Sequence, residues 1–206
     1  MLYLSSGTPP NLHLEIERLG WGYILGPKAG TRLSLVAEAV WAADNGCFSA
    51  VWKADAWTAW LAAMLPALPS CLFAVVPDVV ADHTATLTRW YQWYTIPAEL
   101  GYPLAFVAQD GCTPRAVPWG DIFALFVGGS TAWKLSEPAY ALARKARCHG
   151  KWVHLGRVNS QRRLRAAYTN WFDSADGTYM AYNPTVGIYR MGSYLLNLRR
   201  QATLPL

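Results

Sequence analysis

Long apolar runs and targeting signals are missing from this 206-residue chain. No stretch reaches the roughly 18 uninterrupted apolar residues that a membrane-spanning helix needs. The stretch from Met1 to Gly7 lacks the basic start and the long apolar core of a signal peptide. These absences predict a soluble protein of the cytoplasm that has no membrane partner.

Cysteine pairs and phosphate-binding loops are missing as well. The four cysteines form no Cys-x-x-Cys pair, so neither a zinc cluster nor a disulfide framework is predicted. They are Cys47, Cys71, Cys112 and Cys148. No Gly-x-Gly-x-x-Gly or Walker sequence occurs, which leaves no signal for a nucleotide cofactor. We therefore predict no metal site and no cofactor.

Apolar material is abundant, since 53% of the residues are hydrophobic and 11 are tryptophan. A chain of this length and composition is expected to fold as one domain spanning residues 1–206. Trp52, Trp57 and Trp60 lie on one predicted helix, where packing against a core is a more usual role than a stacking platform for bases. The tryptophans therefore predict a well-packed fold rather than a binding surface.

Basic residues are concentrated in the C-terminal half, and the formal net charge is +5. This asymmetry suits a polyanionic partner such as nucleic acid, although proteins that bind no polyanion can carry the same charge. The alternative for each basic side chain is a solvated helix face. The residues predicted to contact phosphates are Lys134, Arg157, Arg162 and Arg163.

Short apolar runs alternate with segments that carry helix signals, which is typical of repeated βα units around a parallel sheet. Eight such units favour a small, closed (β/α)8 barrel of the TIM type. An open, doubly wound sheet is the alternative because the first two strands are weak. The predicted strands are Leu2–Leu4, Trp21–Leu25, Val40–Ala43, Leu72–Val76, Leu104–Ala108, Phe123–Val127, Trp152–Leu155 and Trp171–Phe172.

Polar residues follow most of these predicted strands directly. In a parallel barrel, all strands open onto the same face at their C-terminal ends, where loops build the active site. Carboxylates, an amide and exposed backbone in one place could read the hydrogen-bonding edge of a purine-like base. Turn chemistry is the alternative at each position. The residues concerned are Asp44, Asp78, Gln109, Gly128, Gly129, Gly156 and Asp173.

Asp173 follows the aromatic pair Trp171-Phe172, interpreted as the end of a short buried strand. A carboxylate at the rim of a sheet can be partly desolvated while it meets a ligand, as a nucleophilic aspartate requires. The alternative is that Asp173 only caps the following turn. We predict Asp173 to be the nucleophile.

Six segments, in order, resemble motifs of tRNA-guanine transglycosylases and of related phage and bacterial DNA transglycosylases that install 7-deazaguanine bases. They span roughly residues 40 to 180 of this chain. The segments are Asp44-Asn45-Gly46-Cys47-Phe48, Val76-Pro77-Asp78, Val107-Ala108-Gln109-Asp110-Gly111, Phe126-Val127-Gly128-Gly129-Ser130, His154-Leu155-Gly156 and Phe172-Asp173-Ser174-Ala175.

This resemblance implies a (β/α)8 barrel and an exchange of bases through a covalent intermediate. Asp173 would attack C1′ of a guanine nucleoside, and Asp44 would protonate the leaving base and deprotonate the incoming one. The residues that would bind the base are Asp78, Gln109, Gly128, Gly129, Leu155 and Gly156.

The chain departs from the tRNA enzymes because no cysteine follows Cys148, so their zinc subdomain has no ligands here. We therefore predict a DNA guanine transglycosylase whose partners are DNA and a free preQ0-type base, with a helper protein as a further candidate partner. A phage-encoded enzyme would work in the cytoplasm of its bacterial host. A tRNA-acting enzyme is the alternative. A nucleosidase or glycosidase that uses Asp44 and Asp173 as paired carboxylates, and a non-catalytic nucleic-acid or partner-binding protein, also remain open.

Overall fold

The computed structural model describes residues 1–37, 39–48, 52–182 and 184–203 and shows a closed barrel of eight parallel strands. Each strand pairs with the next in sequence, and the last pairs with the first, where Leu4 lies opposite Asp176. This closure confirms the small (β/α)8 barrel and excludes the open sheet. The strands are β1 Leu2–Ser5, β2 Gly22–Leu25, β3 Trp41–Ala43, β4 Cys71–Val75, β5 Leu104–Ala108, β6 Ala124–Val127, β7 Trp152–Leu155 and β8 Ser174–Gly177.

Helices and short 3₁₀ turns connect the strands. The α-helices are α1 His13–Arg18, α2 Leu33–Val36, α3 Ala54–Ala63, α4 His83–Trp93, α5 Thr95–Glu99, α6 Thr131–Lys134, α7 Glu137–Cys148, α8 Gln161–Thr169, α9 Tyr179–Tyr182 and α10 Pro184–Thr203. The 3₁₀ turns are Pro10–Leu12, Pro27–Ala29 and Leu65–Ser70. Within the described ranges, no helix is long and apolar enough to cross a membrane.

Two hydrophobic layers result from the alternation of side chains along each strand. On β4, Phe73 and Val75 point into the barrel, whereas Ala74 and Val76 pack in the outer layer against the helices. The residues that fill the barrel interior are Leu4, Ile24, Ala42, Phe73, Val75, Ala105, Val107 and Ala124. A residue's position in this alternation therefore decides whether its side chain can reach a pocket at the end of the barrel.

The tryptophans of α3 belong to the outer layer. Trp57 and Trp60 are 1% and 6% exposed, and Trp60 packs edge-on against Trp41 of β3. Trp52 is partly buried and packs against the same core. The predicted packing role of these residues is confirmed.

The eighth strand lies three residues later than predicted. Trp171 is in the left-handed conformation, with a φ of 60°, and Phe172 donates its N–H to the carbonyl of Ala167. This is the hydrogen bond of a Schellman motif, so Trp171-Phe172 ends α8. The strand itself, Ser-Ala-Asp-Gly, has poor intrinsic β propensity and depends on pairing with β1 and β7 on either side.

Replacing Trp171 with glycine should increase the stability of the fold. A left-handed conformation costs a residue that has a Cβ about 1–2 kcal/mol, and Trp171 is 70% exposed, so little burial is lost. We expect Trp171→Gly to unfold with a free energy about 1 kcal/mol higher than Trp171→Ala, which loses the same contacts but keeps the strain. Urea denaturation of both variants measures this difference, and equal stabilities would contradict the assignment.

Candidate functional site

A pocket with a volume of about 140 Å³ opens at the C-terminal ends of the strands. Its apolar wall consists of Ile24, Val75, Val107 and Phe126, which continue the barrel interior. Its polar groups are Ser6, Asp44, Asn45, Asp78, Gln109, Arg157, Asp176 and Thr178. The volume lies below the roughly 300–1,000 Å³ typical of pockets for drug-sized ligands, so this pocket suits a small molecule or one part of a larger one.

Larger cavities lie elsewhere, but their walls lack converging carboxylates. One of about 680 Å³ surrounds Trp171 and Asp173 at the opposite end of the barrel, and one of about 340 Å³ lies beside α1 and α2. Neither brings together several carboxylates. The pocket at the C-terminal ends of the strands is therefore the candidate site.

Asp44 follows β3 directly and lines the pocket. Burial raises the pKa of its carboxyl to about 7, and the nearby charges of Asp176 and Asp78 act in the same direction. Hydrogen bonds from the backbone N–H groups of Gly46 and Asn45 oppose this rise only in part. Asp44 can therefore gain or lose a proton near neutral pH, as a general acid–base must.

Asp78, after β4, is held by two side-chain amides. Asn45 donates Nδ2 to its Oδ1 at 2.8 Å, and Gln109 donates Nε2 to its Oδ2. Burial raises the pKa of Asp78, although both hydrogen bonds lower it. The Oε1 of Gln109 accepts from the backbone N–H of Ala81 at 2.8 Å. The structure thus brings Asp78 and Gln109 to the pocket as predicted, with Gln109 fixing the orientation of the carboxylate.

Asp176 completes the acidic side of the pocket and contacts the buried His154; neither was among the predicted site residues. The Oδ1 of Asp176 lies 2.9 Å from Nε2 of the buried His154, whose Nδ1 lies 2.7 Å from Oγ of Ser174. Ser174 and Asp176 both point inward on β8 because they are two residues apart. That spacing could have identified the two residues from the sequence, but the predicted strand, Trp171–Phe172, did not include them.

The glycines after β6 and β7 allow a close approach of backbone and ring. Gly128 and Gly129 line the pocket, and Gly129 has a φ of 76°. A Cβ on Gly156 would be 2.9 Å from Cζ of Phe126. Leu155, by contrast, packs in the outer layer because the preceding residue, His154, points inward. The prediction that Leu155 binds a ligand is therefore wrong. Gly128 and Gly129 lie in the pocket wall as predicted, whereas Gly156 packs against Phe126 and is not one of the residues that line the pocket.

Arg157 crosses the mouth of the pocket. Its backbone N–H donates to Oδ1 of Asp176 at 3.1 Å, and its guanidinium donates to the carbonyl of Gly129. The same guanidinium lies 4.4 Å from the ring centroid of Phe48, a cation–π contact. Because Phe48 follows β3 and Arg157 follows β7, this contact joins the two sides of the barrel above the pocket.

The other predicted basic residues divide into two groups. Lys134 is buried and donates Nζ to the carbonyl of Gly156 at 2.7 Å, while Arg163 donates to the carbonyl of Arg157 at 3.0 Å. Both lie beside Arg157. Arg162 is exposed on α8, and its charge acts on Tyr140 of α7. The structure therefore groups Lys134 and Arg163 with the pocket but not Arg162.

Asp173 is at the wrong end of the barrel for catalysis in this pocket. It precedes β8, where its Oδ2 accepts from the N–H of Val153 at 2.8 Å and its Oδ1 accepts from Arg147 at 2.7 Å. Both partners belong to the N-terminal end of the barrel. The prediction of Asp173 as nucleophile is wrong because the strand begins after it rather than ending before it.

Comparison with solved structures finds barrels of the same fold. A structure described as native KDPGal has a TM-score of 0.61 and 12% identity, covering 98% of this chain and 94% of that one. A tryptophan synthase from M. tuberculosis has a TM-score of 0.60 and 15% identity, covering 98% of this chain and 91% of that one. Dihydrodipicolinate synthase from Bacillus clausii has a TM-score of 0.59 and 10% identity, covering 95% of this chain and 74% of that one. No family model and no curated protein matches the sequence.

These findings overturn the predicted exchange of guanine bases on DNA or tRNA. Two of the similar structures named above are synthases, and none of the three is described as a transglycosylase. Asp44 and Asp173 also lie at opposite ends of the barrel, so they cannot act together as the paired carboxylates of a nucleosidase or glycosidase. The resemblance of the short motifs to the transglycosylases stays a prediction.

The pocket is equipped for proton transfer and hydrogen bonding. Three carboxylates, Asp44, Asp78 and Asp176, provide acceptors, and Arg157 provides the cation at its mouth. Among the described residues, no group of three or more His, Cys, Asp or Glu side chains is arranged to hold a metal ion.

Proposed function

We propose that the protein is an enzyme that transfers a proton to or from a small, flat substrate rich in N–H groups, with Asp44 as the general acid–base. The observation that carries the proposal is the convergence of Asp44, Asp78 and Asp176 on one pocket, where burial raises the pKa of Asp44 to about 7. A group that titrates near the working pH is available in both its acid and its base form. The similar barrels named as synthases support an enzyme of this fold.

The shape and polarity of the pocket define the class of substrate. Val75, Val107 and Phe126 supply apolar surfaces against which a ring can lie. The carboxylates of Asp78 and Asp176 can only accept hydrogen bonds when ionised. Their partners in the described structure leave further lone pairs, so a ligand with N–H or amino groups on its edge satisfies them best.

Each residue then has a defined role. Asp78, oriented by Asn45 and Gln109, binds the donor edge of the substrate. Asp176, oriented by His154, binds a second donor, and its charge adds to the effect of burial in raising the pKa of Asp44. Asp44 transfers the proton.

Imine chemistry is not supported by the position of the nearest lysine. Catalysis through a Schiff base needs a lysine amine that faces the substrate. Among the described residues, no lysine lines the pocket, and the amine of Lys134 donates to the carbonyl of Gly156. Acid–base catalysis by carboxylates is therefore the chemistry that the site supports best.

Binding of simple pyrimidines tests the proposal. We expect 2,4-diaminopyrimidine to raise the melting temperature of the protein and pyrimidine itself to have no effect, since only the former offers donors. Asp78→Asn should weaken binding of the diamine about tenfold or more, because the amide has one acceptor oxygen where the carboxyl group has two, and its N–H₂ group faces the donors of the ligand. Asp121→Asn, on an exposed loop, is the matched control.

Calorimetric titration of the wild-type protein and of Asp78→Asn, Asp44→Asn and Asp121→Asn gives the affinities. Equal binding of pyrimidine and its diamine would contradict the predicted donor edge. Unchanged affinity in both Asp78→Asn and Asp44→Asn would remove the pocket as the binding site.

A further inference from the structure

Three cationic side chains converge at one side of the pocket mouth, after β6 and β7. Arg157 lines the pocket, Arg163 contacts its backbone carbonyl, and the amine of Lys134 contacts the carbonyl of the preceding residue, Gly156. Arg157 and Arg163 are half-buried, and Lys134 is 1% exposed. We define this group as the cation cluster.

The three positive charges of the cation cluster lie close together and are not paired directly with carboxylates. None of its three members forms an ion pair with a carboxylate of the described residues; their hydrogen bonds go to backbone carbonyls and to Oγ1 of Thr131. Burial lowers the pKa of Lys134 to about 7, and the charges of Arg157 and Arg163 lower it further, while Asp176 acts in the opposite direction. The charges of Asp176, Asp78 and Asp110 also act on Arg157, so they offset part of its charge. Cationic groups that are held together without direct ion pairs can still attract an anion.

The backbone at this point is also held in an uncommon conformation. Arg157 has a φ of 59°, in the left-handed region that side chains with a Cβ rarely adopt. The bonds from Arg157 to Gly129 and from its backbone N–H to Asp176 fix that conformation. As a result the guanidinium is directed over the pocket rather than into solvent.

We propose that the cation cluster is a binding subsite for a terminal phosphate group carried by the substrate. The donor-rich ring occupies the pocket and its phosphate meets Arg157 and Arg163, with Lys134 adding charge behind them. This inference rests on the proposed function for the ring and adds a phosphate ester to the substrate class. Guanidinium groups suit it because they bind phosphate through two parallel hydrogen bonds.

Inorganic phosphate tests the subsite separately from the ring. We expect wild-type protein to bind phosphate in calorimetry at low salt and Arg163→Ala to bind it about tenfold or more weakly. Arg162→Ala is the matched control, because it removes the same charge one residue away on the exposed side of α8 and should bind like wild type. Arg163→Lys, which keeps the charge, should recover part of the affinity.

The results separate this inference from the proposed function. Phosphate binding that depends on Arg163, without binding of 2,4-diaminopyrimidine, would keep the subsite and reject the ring site. Diamine binding with no phosphate binding, or equal losses in Arg162→Ala and Arg163→Ala, would overturn the subsite.

A single-stranded oligonucleotide distinguishes the source of the phosphate. The subsite is assigned to a terminal phosphate group, so inorganic phosphate should displace the oligonucleotide from the cation cluster when both supply the same concentration of phosphate groups. Oligonucleotide binding that Arg163→Ala abolishes, with no binding of free phosphate, would overturn the terminal-phosphate assignment in favour of a nucleic-acid backbone. Melting curves of every variant show whether the fold is retained.

Discussion

Replacing Asp44 with asparagine should remove most of the turnover while making the fold more stable above pH 7. General acid–base catalysis contributes about 10²–10⁴-fold to a rate, so we expect a loss in that range on any substrate that the pocket turns over. The wild-type dependence of kcat/KM on pH should change slope near pH 7, where Asp44 titrates. Asp44→Asn should lack that change.

The stability change has a definite sign and pH window. Asp44 loses its proton at about pH 7 in the folded protein but near its ordinary value of 3.8 when unfolded. Its ionisation therefore destabilises the fold increasingly from pH 4 to pH 7 and not below pH 4, where both states are protonated. Asp44→Asn should unfold with a free energy higher by about 2 kcal/mol at pH 8, with no gain at pH 3.5.

Urea denaturation at both pH values measures this effect without a substrate. Asp121→Asn, an exposed carboxylate, is the control and should show no such pH-dependent gain. If Asp44→Asn lost stability at pH 8, the carboxylate would be a structural group rather than a strained catalytic one. Full turnover in a folded Asp44→Asn protein would reject the proposed role.

Replacing Gly177 with alanine should cause a large loss of stability. Gly177 ends β8, and a Cβ there would be 2.6 Å from the carbonyl oxygen of Val158 and would also overlap Oδ1 of Asn159 and the hydroxyl of Tyr3. These groups are fixed, since Tyr3 donates to that same carbonyl and Asn159 accepts from the N–H of Thr178. Overpacking a site that cannot relax costs about 3 kcal/mol.

For a chain of this size, that loss corresponds to a fall of about 10 °C in melting temperature. Gly120→Ala is the matched control, because a Cβ on Gly120 would meet no atom within 4 Å. Calorimetric melting of both variants checks the prediction. Similar melting temperatures would mean that the end of β8 has more room than the structure shows.

Several parts of the fold could be predicted from the sequence because the signals there are local. β5 and β7 occur at Leu104–Ala108 and Trp152–Leu155, where they were predicted. Both are apolar runs that end at glycine or a polar residue, and in a pattern of eight βα units such runs are interpreted only as strands. Asp44, Asp78 and Gln109 were placed at the pocket for the same reason, since each follows a strand closely.

The eighth strand could not be predicted, and the error changed the predicted chemistry. Trp171 and Phe172 are aromatic residues of the kind that is common in strands, but they end α8. The strand that follows, Ser-Ala-Asp-Gly, has a composition typical of a turn. Its conformation is decided by β1 and β7, which are distant in sequence. The shift of three residues moved Asp173 to the N-terminal end of the barrel and left Asp176 in the site.

The sequence by itself therefore determined the number of βα units, the barrel and the acidic character of its C-terminal end, because hydrophobic periodicity and strand ends are local properties. Only the tertiary structure decided which residues face inward on β7 and β8, and that Lys134, Arg157 and Arg163 share one side of the pocket. Inward direction depends on the register between strands. The raised pKa of Asp44 depends in turn on burial and on carboxylates that only the closed barrel brings near it.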